Sequence, residues 1–365
     1  MRLRRVGILT GGGDCTGLNA VIRAITRAAI IKHDNAAVVG IEDGFEGLIF
    51  DRTCELTIPR TRDILTLGGT ILGTSNKGDP FAFREYGADD SIVTHDYSDK
   101  VIRNFKRMLL DCLFVIGGEG TLQIGYEFYK RGLPIIGIPK TIDNDLESTD
   151  YTFGFQSAVQ VASDAMDRLQ TTGRSHDRIM ILEVMGRNAG WIALEAGIAG
   201  GAHVILLPEI PYKLDRVLEK LRRREAGGSP YSIIMVAEGA VEEGGSAITQ
   251  ESASARLQGV AQLGGVGYYL ADRIKKEIDL EVRCTVLGHI QRGGTPIAFD
   301  RVLGTRLGAF AVQAAAEEKF GNMVSLKTPD LTLVPLKDLA GKVRAVPQDC
   351  QLIRCAESIG ISLGR

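Results

Sequence analysis

DCLFVIGGEGTLQIGYEFYKRGLPIIGIPKTIDND, residues Asp111 to Asp145, decides the fold. It opens on an unbroken apolar run, meets a glycine loop, passes through a helical stretch, and reaches a second apolar run that ends in an acidic turn. An apolar run of about four to six residues suits a strand buried on both faces, because a half-exposed strand would alternate. The same pattern recurs outward in RRVGILTGGGD, NAAVVGIEDG, DRIMILEVMGR, HVILLPEI and YSIIMVAEG. Amphipathic helical stretches separate these runs. Asn19 to Lys32 carries Val21, Ile22, Ile25, Ala28 and Ala29 as its apolar stripe, and Phe155 to Leu169, Leu214 to Arg224 and Gly265 to Glu277 read the same way. Alternating strand and helix predicts right-handed crossovers and an α/β fold, with mostly parallel sheets covered by helices on both faces. Two such units follow in series, with the boundary expected near residues 145–155. After Lys327 the tail holds several prolines and weak periodicity, and no element is assigned there.

The chain of 365 residues is long enough for about two domains. Its 43 basic and 45 acidic residues leave a net charge of −2, which is no footprint for nucleic acid or an anionic membrane. No apolar stretch reaches the roughly 18 residues that a membrane span requires. The apolar run in MRLRRVGILTGGGD is too short for a signal peptide. Six cysteines form no Cys-x-x-Cys pair and no zinc spacing, so free thiols in a reducing compartment are expected. The composition predicts a soluble, cytoplasmic protein.

Ligands of open parallel sheets bind at the carboxyl ends of strands. Two glycine loops stand at such ends, GGGD (Gly11 to Asp14) and GGEGT (Gly117 to Thr121), and each leads into a helix. Glycines let backbone amides approach phosphate oxygens, and a helix N-terminus favours negative charge. Gly11, Gly13 and Gly17 read G-x-G-x-x-x-G, which departs from the dinucleotide spacing G-x-G-x-x-G, and a P-loop is absent. Glu119 would repel a bare phosphate, but it makes sense beside phosphates if it holds Mg²⁺. In PKTIDND, Asp143 and Asp145 stand two residues apart after a strand. There one carboxylate can take the proton of an attacking hydroxyl while the other orients it or the metal.

GGGDCTGLNAVIR, GGTILGTSN, VIGGEGT, PKTIDND, SHDRI, EVMGRNAGW, AEGA and CTVLGHIQRGG, in this order from residue 7 to about 310, resemble the phosphofructokinase family. The resemblance implies two similar three-layer α/β domains with the active site between them. Residues 1–150 with about 291–340 would form the phosphoryl-donor domain, and 151–290 with the C-terminal tail the fructose 6-phosphate domain. It implies transfer of a phosphoryl group to the 1-hydroxyl of fructose 6-phosphate, a step of glycolysis, with Mg²⁺ as cofactor. Gly12, Gly118, Glu119, Gly120 and Thr121 would bind the donor, with Glu119 as the magnesium acid. Asp143 is the implied general base, Asp145 its supporting acid, and Thr141 part of the same catalytic segment. Met185, Gly186 and Arg187 match the sugar-binding turn, Glu238 the acid on sugar hydroxyls, and His289 and Arg292 the grip on the 6-phosphate. Arg178 and Arg283 match arginines that reach a neighbouring subunit's site, which implies a homodimer or homotetramer with shared sites. Arg23 and Arg27 match effector positions of some members, but here a solvated basic face is the better reading.

Two positions bear on the donor. Gly120 follows the acid of the donor loop, where ATP-using members have glycine and pyrophosphate-using members aspartate. Lys140 stands where many ATP enzymes have glycine and pyrophosphate enzymes lysine, and it joins the catalytic set. Asn76 replaces an arginine that contacts the donor in many ATP enzymes, and Lys77 with Lys140 would supply the missing charge. Exclusion by a carboxylate outweighs one added cation, because an unpaired buried carboxylate near phosphate costs on the order of several kcal/mol. The expected reaction is therefore ATP-dependent, with the pyrophosphate-dependent phosphotransferase as the alternative. A nicotinamide dehydrogenase would not need GGEGT, TIDND and GHIQRGG together. A non-catalytic subunit would have lost Asp143 or Arg178, and both are present.

Overall fold

The computed structural model describes residues 1–75, 78–86, 91–229, 231–250, 262–339 and 341–365. The first sheet runs, from one edge to the other, Asp330–Pro335 (β16), Asn322–Lys327 (β15), Ile135–Thr141 (β7), Cys112–Gly117 (β6), Arg5–Thr10 (β1), Ala37–Ile41 (β2) and Thr53–Glu55 (β3), and the short Phe153–Gly154 (β8) pairs with β7. Its central pairs are parallel, and only the edges β2–β3 and β15–β16 are antiparallel. The second sheet is wholly parallel, in the order Val204–Leu206 (β10), Ser232–Ala237 (β11), Ile179–Val184 (β9) and Val282–Val286 (β14). Two small antiparallel pairs, Phe83–Tyr86 (β4) with Ile92–His95 (β5) and Thr249–Gln250 (β12) with Gln262–Leu263 (β13), complete the strands among the described residues.

Both faces of each sheet are covered, which is why the strand sequences do not alternate. In β6, Cys112, Phe114 and Ile116 point into the core shared with the second sheet, while Leu113 and Val115 point to the outer one. In β9, Met180, Leu182 and Val184 join the shared core, and Ile179 and Ile181 the far side. Helices Leu18–Lys32 (α1), Phe155–Ser175 (α5), Trp191–Ala199 (α6) and Ala298–Ala316 (α9) supply that shared core. Phe45–Phe50 (α2), Ser98–Arg107 (α3) and Glu119–Lys130 (α4) cover the outer face of the first sheet, and Leu214–Ala226 (α7) and Val266–Lys275 (α8) that of the second. The two three-layer units and their mostly parallel sheets agree with the fold expected from the sequence. α1 and α9 pack closely enough that a β-carbon on Gly308 would lie 2.8 Å from both Ala24 Cβ and the Val21 carbonyl.

The tail, which carries no clear pattern in the sequence, is structured. β15 and β16 form the antiparallel edge of the first sheet, with Pro329 in their turn. Residues 341–348 then cross between the sheets, Gln351–Ser358 (α10) packs into the shared core through Ile353 and Ala356, and Ser362 lies beside Val204 at the edge of the second sheet. No helix among the described residues is long and apolar enough to cross a membrane, and all six cysteines are unpaired.

Candidate active site

The loops after β1 and β6 are pressed against one residue. A β-carbon on Gly11 would fall 2.6 Å from Thr121 Cγ2, and one on Gly117 only 2.3 Å from Thr121 Cβ. Glycine at both positions lets the loops close on buried Thr121, which brings GGGD to the N-terminus of α4. Gly12 has φ 77°, a left-handed conformation that glycine adopts at no steric cost. Its N–H donates to the Ser75 carbonyl at 3.3 Å, and its carbonyl accepts from Thr74 Oγ1 at 2.5 Å. The first intrahelical bond of α4 runs from Leu122 N to Gly118 O, so the amides before Leu122 have no partner within the helix. That is a cradle for an anion. Glu119 Oε1 accepts the Gly341 N–H at 3.1 Å, which places the crossing tail beside the loop. Gly120 is exposed, and a β-carbon on it would meet none of the described residues within 4 Å. Asn76 and Lys77 lie outside the described residues.

β7 delivers the acidic segment. Lys140 is buried, and its ammonium donates to the Gly13 carbonyl. Burial pulls its pKa down from the ordinary lysine range, against the opposing pull of the Cys15, Asp143 and Asp14 side chains. Asp143 donates its N–H to Thr141 Oγ1 at 3.0 Å, and its buried Oδ1 has no hydrogen-bond partner among the described residues. Asn144 holds φ 52° and anchors the turn by accepting the Thr152 N–H at 3.0 Å. The Asp145 carboxyl is pushed up to about 6, first by burial and then by the charge of Asp143, with Arg187 and the Thr141 hydroxyl opposing.

This shift fixes a pH dependence. The folded value lies above the ordinary 3.8, so folding takes up a proton between the two, and the stability this group contributes is lost as pH rises from about 4 through about 6. Asp145→Asn should therefore raise the thermal midpoint at pH 8, on the order of 1–3 kcal/mol in stability, and change little at pH 4. Thermal scans at both pH values check this, and a difference independent of pH would contradict it.

The residues expected on the sugar side meet this cluster from the second sheet. Three successive amides after β9 are held by two side chains. Met185 N donates to Gln291 Oε1 at 2.7 Å, and Gly186 N and Arg187 N donate to Glu238 Oε1 at 3.3 and 2.9 Å. Gly186 (φ 148°) and Arg187 (φ 52°) both have left-handed backbone, so the turn depends on those acceptors. Burial raises the Glu238 carboxyl, and the charge of nearby Asp143 adds to this. Arg292 donates from Nη1 to the Asp14 carbonyl at 3.1 Å, and His289 is exposed on the same 3₁₀ turn, Gly288–Arg292. Lys140 and Arg292 thus reach the GGGD loop, and the charge of Asp143 is felt by Lys140, Asp145 and Glu238, the last of which holds the 186–187 amides.

Arg178 and Arg283 stand elsewhere in the chain. They share Glu281 as ion-pair partner at the amino end of the second sheet. Arg178 precedes β9 and Met185 follows it, so roughly 20 Å of strand separates them. Two further features have no counterpart among the residues expected from the sequence. Gln291 carries no charge, and nothing in GHIQRGG marks it out. Arg344 lies in the unpatterned tail, where its N–H donates to the Asp145 carbonyl at 2.8 Å, its guanidinium bonds the Asp150 carbonyl at 2.8 Å, and its charge sits 4.5 Å from the Trp191 ring centre.

Residues 5–315 match the family model described as Phosphofructokinase. A protein of Chloroflexus aurantiacus named ATP-dependent 6-phosphofructokinase is 48% identical over 362 residues, covering 99% of this chain and 98% of that one. The pyrophosphate–fructose 6-phosphate 1-phosphotransferase of Amycolatopsis methanolica is 47% identical over 348 residues, covering 94% and 97%. The crystal structure of Pichia pastoris phosphofructokinase in the T-state matches with a TM-score of 0.78 at 30% identity, over 92% of this chain and 35% of that chain, so this chain spans about a third of its length.

Proposed function

The chain belongs to the phosphofructokinase family, and we propose that it transfers the γ-phosphoryl group of ATP to the 1-hydroxyl of fructose 6-phosphate, giving ADP and fructose 1,6-bisphosphate. The observation that carries this reading is the placement of Asp143. Among the described residues its buried Oδ1 has no partner, its segment reaches the GGGD loop through Lys140, and its charge acts on Glu238, which holds the 186–187 amides. Asp143 takes the hydroxyl proton, the freed oxygen attacks the γ-phosphorus, and the bond to the β,γ-bridging oxygen breaks as ADP leaves. Thr141 fixes the backbone of Asp143, and Asp145 bears the second carboxyl of the pair. Gly12, Gly118, Gly120 and Thr121 shape the donor side, with Asn76 and Lys77 assigned there by the motif. Met185, Gly186, Arg187, Glu238, His289 and Arg292 form the acceptor side. Phosphoryl transfer needs positioning and charge neutralisation more than covalent chemistry, and this set provides both. The first sheet with β15 and β16 serves the donor, and the second the sugar phosphate.

No group of three or more His, Cys, Asp or Glu among the described residues could hold a metal. Glu119 offers a single carboxylate beside the phosphate cradle, with one oxygen taken by Gly341. That donor set fits Mg²⁺, which keeps several waters and takes other oxygens from substrate phosphates. Glu119 would hold it, and when bound it neutralises charge on the donor phosphates. The six unpaired thiols fit a cytoplasmic setting.

The second reading, pyrophosphate as donor, is favoured by Lys140 and by the Amycolatopsis methanolica relative. A competition assay with ATP and pyrophosphate decides between them. Turnover with ATP alone supports the first, and turnover with pyrophosphate alone overturns it.

Arg178 and Arg283 complete a neighbouring subunit's site in this reading, because their own chain holds them away from Met185. Mixing inactive Arg178→Ala chains with inactive Asp143→Ala chains should restore up to about a quarter of the activity in a randomly mixed dimer. No recovery in confirmed mixed oligomers would place the whole site in one chain.

A further inference from the structure

Gln291 is wholly buried, and its amide is only half used. Oε1 accepts the Met185 N–H at 2.7 Å, while Nε2 has no hydrogen-bond partner among the described residues. The orientation is fixed by chemistry, because a backbone N–H can only donate and the atom facing it must be the oxygen. An unpaired buried amide donor carries a desolvation cost that a methionine of similar size would avoid. The amide is therefore explained by its acceptor side. The turn it holds is left-handed at both Gly186 and Arg187, and the turn's other two amides rest on one oxygen of Glu238. A carboxylate assigned to sugar hydroxyls is a shared anchor, which leaves Gln291 as the one acceptor in the turn with no second duty. The neighbouring Arg292 reaches the Asp14 carbonyl of the donor loop. The segment carrying Gln291 begins at Leu287, whose N–H is bonded to the Glu183 carbonyl of β9 at 3.0 Å.

On the fructose 6-phosphate reading above, we propose that Gln291 is a positioning residue that sets the acceptor turn Met185–Arg187 and locks it in register with the segment that grips the sugar phosphate. It touches no substrate. It acts through the Met185 amide, and Arg292 carries that register to the donor loop.

Steady-state kinetics on wild type, Gln291→Met and Gln291→Glu test it, with hydrogen exchange of the 183–190 backbone as a second readout. Gln291→Met should raise KM for fructose 6-phosphate about tenfold and leave KM for ATP within about twofold. Gln291→Glu keeps an acceptor oxygen and should bring the sugar-phosphate KM back to within about threefold of wild type. Slow exchange at Met185 in ligand-free wild type, lost in Gln291→Met, is expected whatever the substrate. Fast exchange there in wild type overturns the proposal without any variant. Unchanged KM values overturn it as well, as does an equal rise in both KM values that tracks a fall in thermal midpoint and is not rescued by Gln291→Glu. Wild type inactive on fructose 6-phosphate, with the exchange pattern intact, would remove the reaction reading and keep the clamp.

Discussion

Asp143→Asn will lower turnover by between about 10² and 10⁴ fold while leaving fructose 6-phosphate affinity within a few fold, because the contribution of a general base is made in the transition state. The same variant will fold at least as stably as wild type. Asp143 is 5% exposed, and its Oδ1 has no hydrogen-bond partner among the described residues. A buried carboxylate oxygen without a donor is a cost to the folded state, and the amide removes the charge at nearly constant shape. Two neighbouring carboxyls add to that cost, since Asp145 and Glu238 are both pushed up in part by the charge of Asp143. Taking the charge from Asp143 should let the Asp145 carboxyl fall back from about 6 toward its ordinary range. Turnover, binding and thermal denaturation measured together separate a catalytic acid from a structural one. A loss of stability in step with activity, or near-normal turnover, would remove Asp143 from the role of base.

What the sequence makes legible is what depends on short-range pattern. Strands buried on both faces read as unbroken apolar runs, so β1, β6, β7, β9 and β11 stand out from the residue order alone. The glycine loops at their ends read equally well, because few residues other than glycine tolerate the approach of Gly11 and Gly117 to Thr121. The rest depends on where long side chains turn, and local pattern does not determine that. Lys140 is expected to supply positive charge at the donor, and in this structure its ammonium lies on the Gly13 carbonyl of the GGGD loop. Arg292 is expected at the sugar 6-phosphate and here donates to the Asp14 carbonyl. Arg178 and Arg283 are far apart in sequence and share one glutamate. The tail is opaque for another reason. Its hold on the site runs through backbone groups, Gly341 N to Glu119 and Arg344 N to the Asp145 carbonyl, and backbone groups leave no mark in a sequence.

Gly120→Asp will abolish turnover with ATP and give rise to turnover with pyrophosphate, and the fold will not be the reason. Gly120 lies in the first turn of α4, where glycine is less stable than alanine by about 0.5–1 kcal/mol. Nothing among the described residues requires that concession. A β-carbon there meets no atom of the described residues within 4 Å, and an aspartate in the first turn is favoured by the helix dipole. The variant should therefore melt at or above the wild-type temperature, which assigns any loss of activity to the ligand. The open space at Gly120 faces solvent in the first turn of α4, beside amides that have no partner within the helix, and the proposed donor site puts the α-phosphate of ATP there. A carboxylate in that space blocks it by volume and by repulsion. Pyrophosphate has no third phosphate and escapes both. Lys140→Gly is the companion variant. It removes the ammonium beneath the Gly13 carbonyl, so it should loosen the GGGD loop for either donor but weaken pyrophosphate use more, since pyrophosphate has no adenosine to anchor it. Initial rates with each donor, paired with thermal scans of both variants, carry the comparison. Wild type preferring pyrophosphate, or Gly120→Asp retaining ATP turnover at unchanged stability, would move the donor choice from the space at Gly120 to the charge at Lys140.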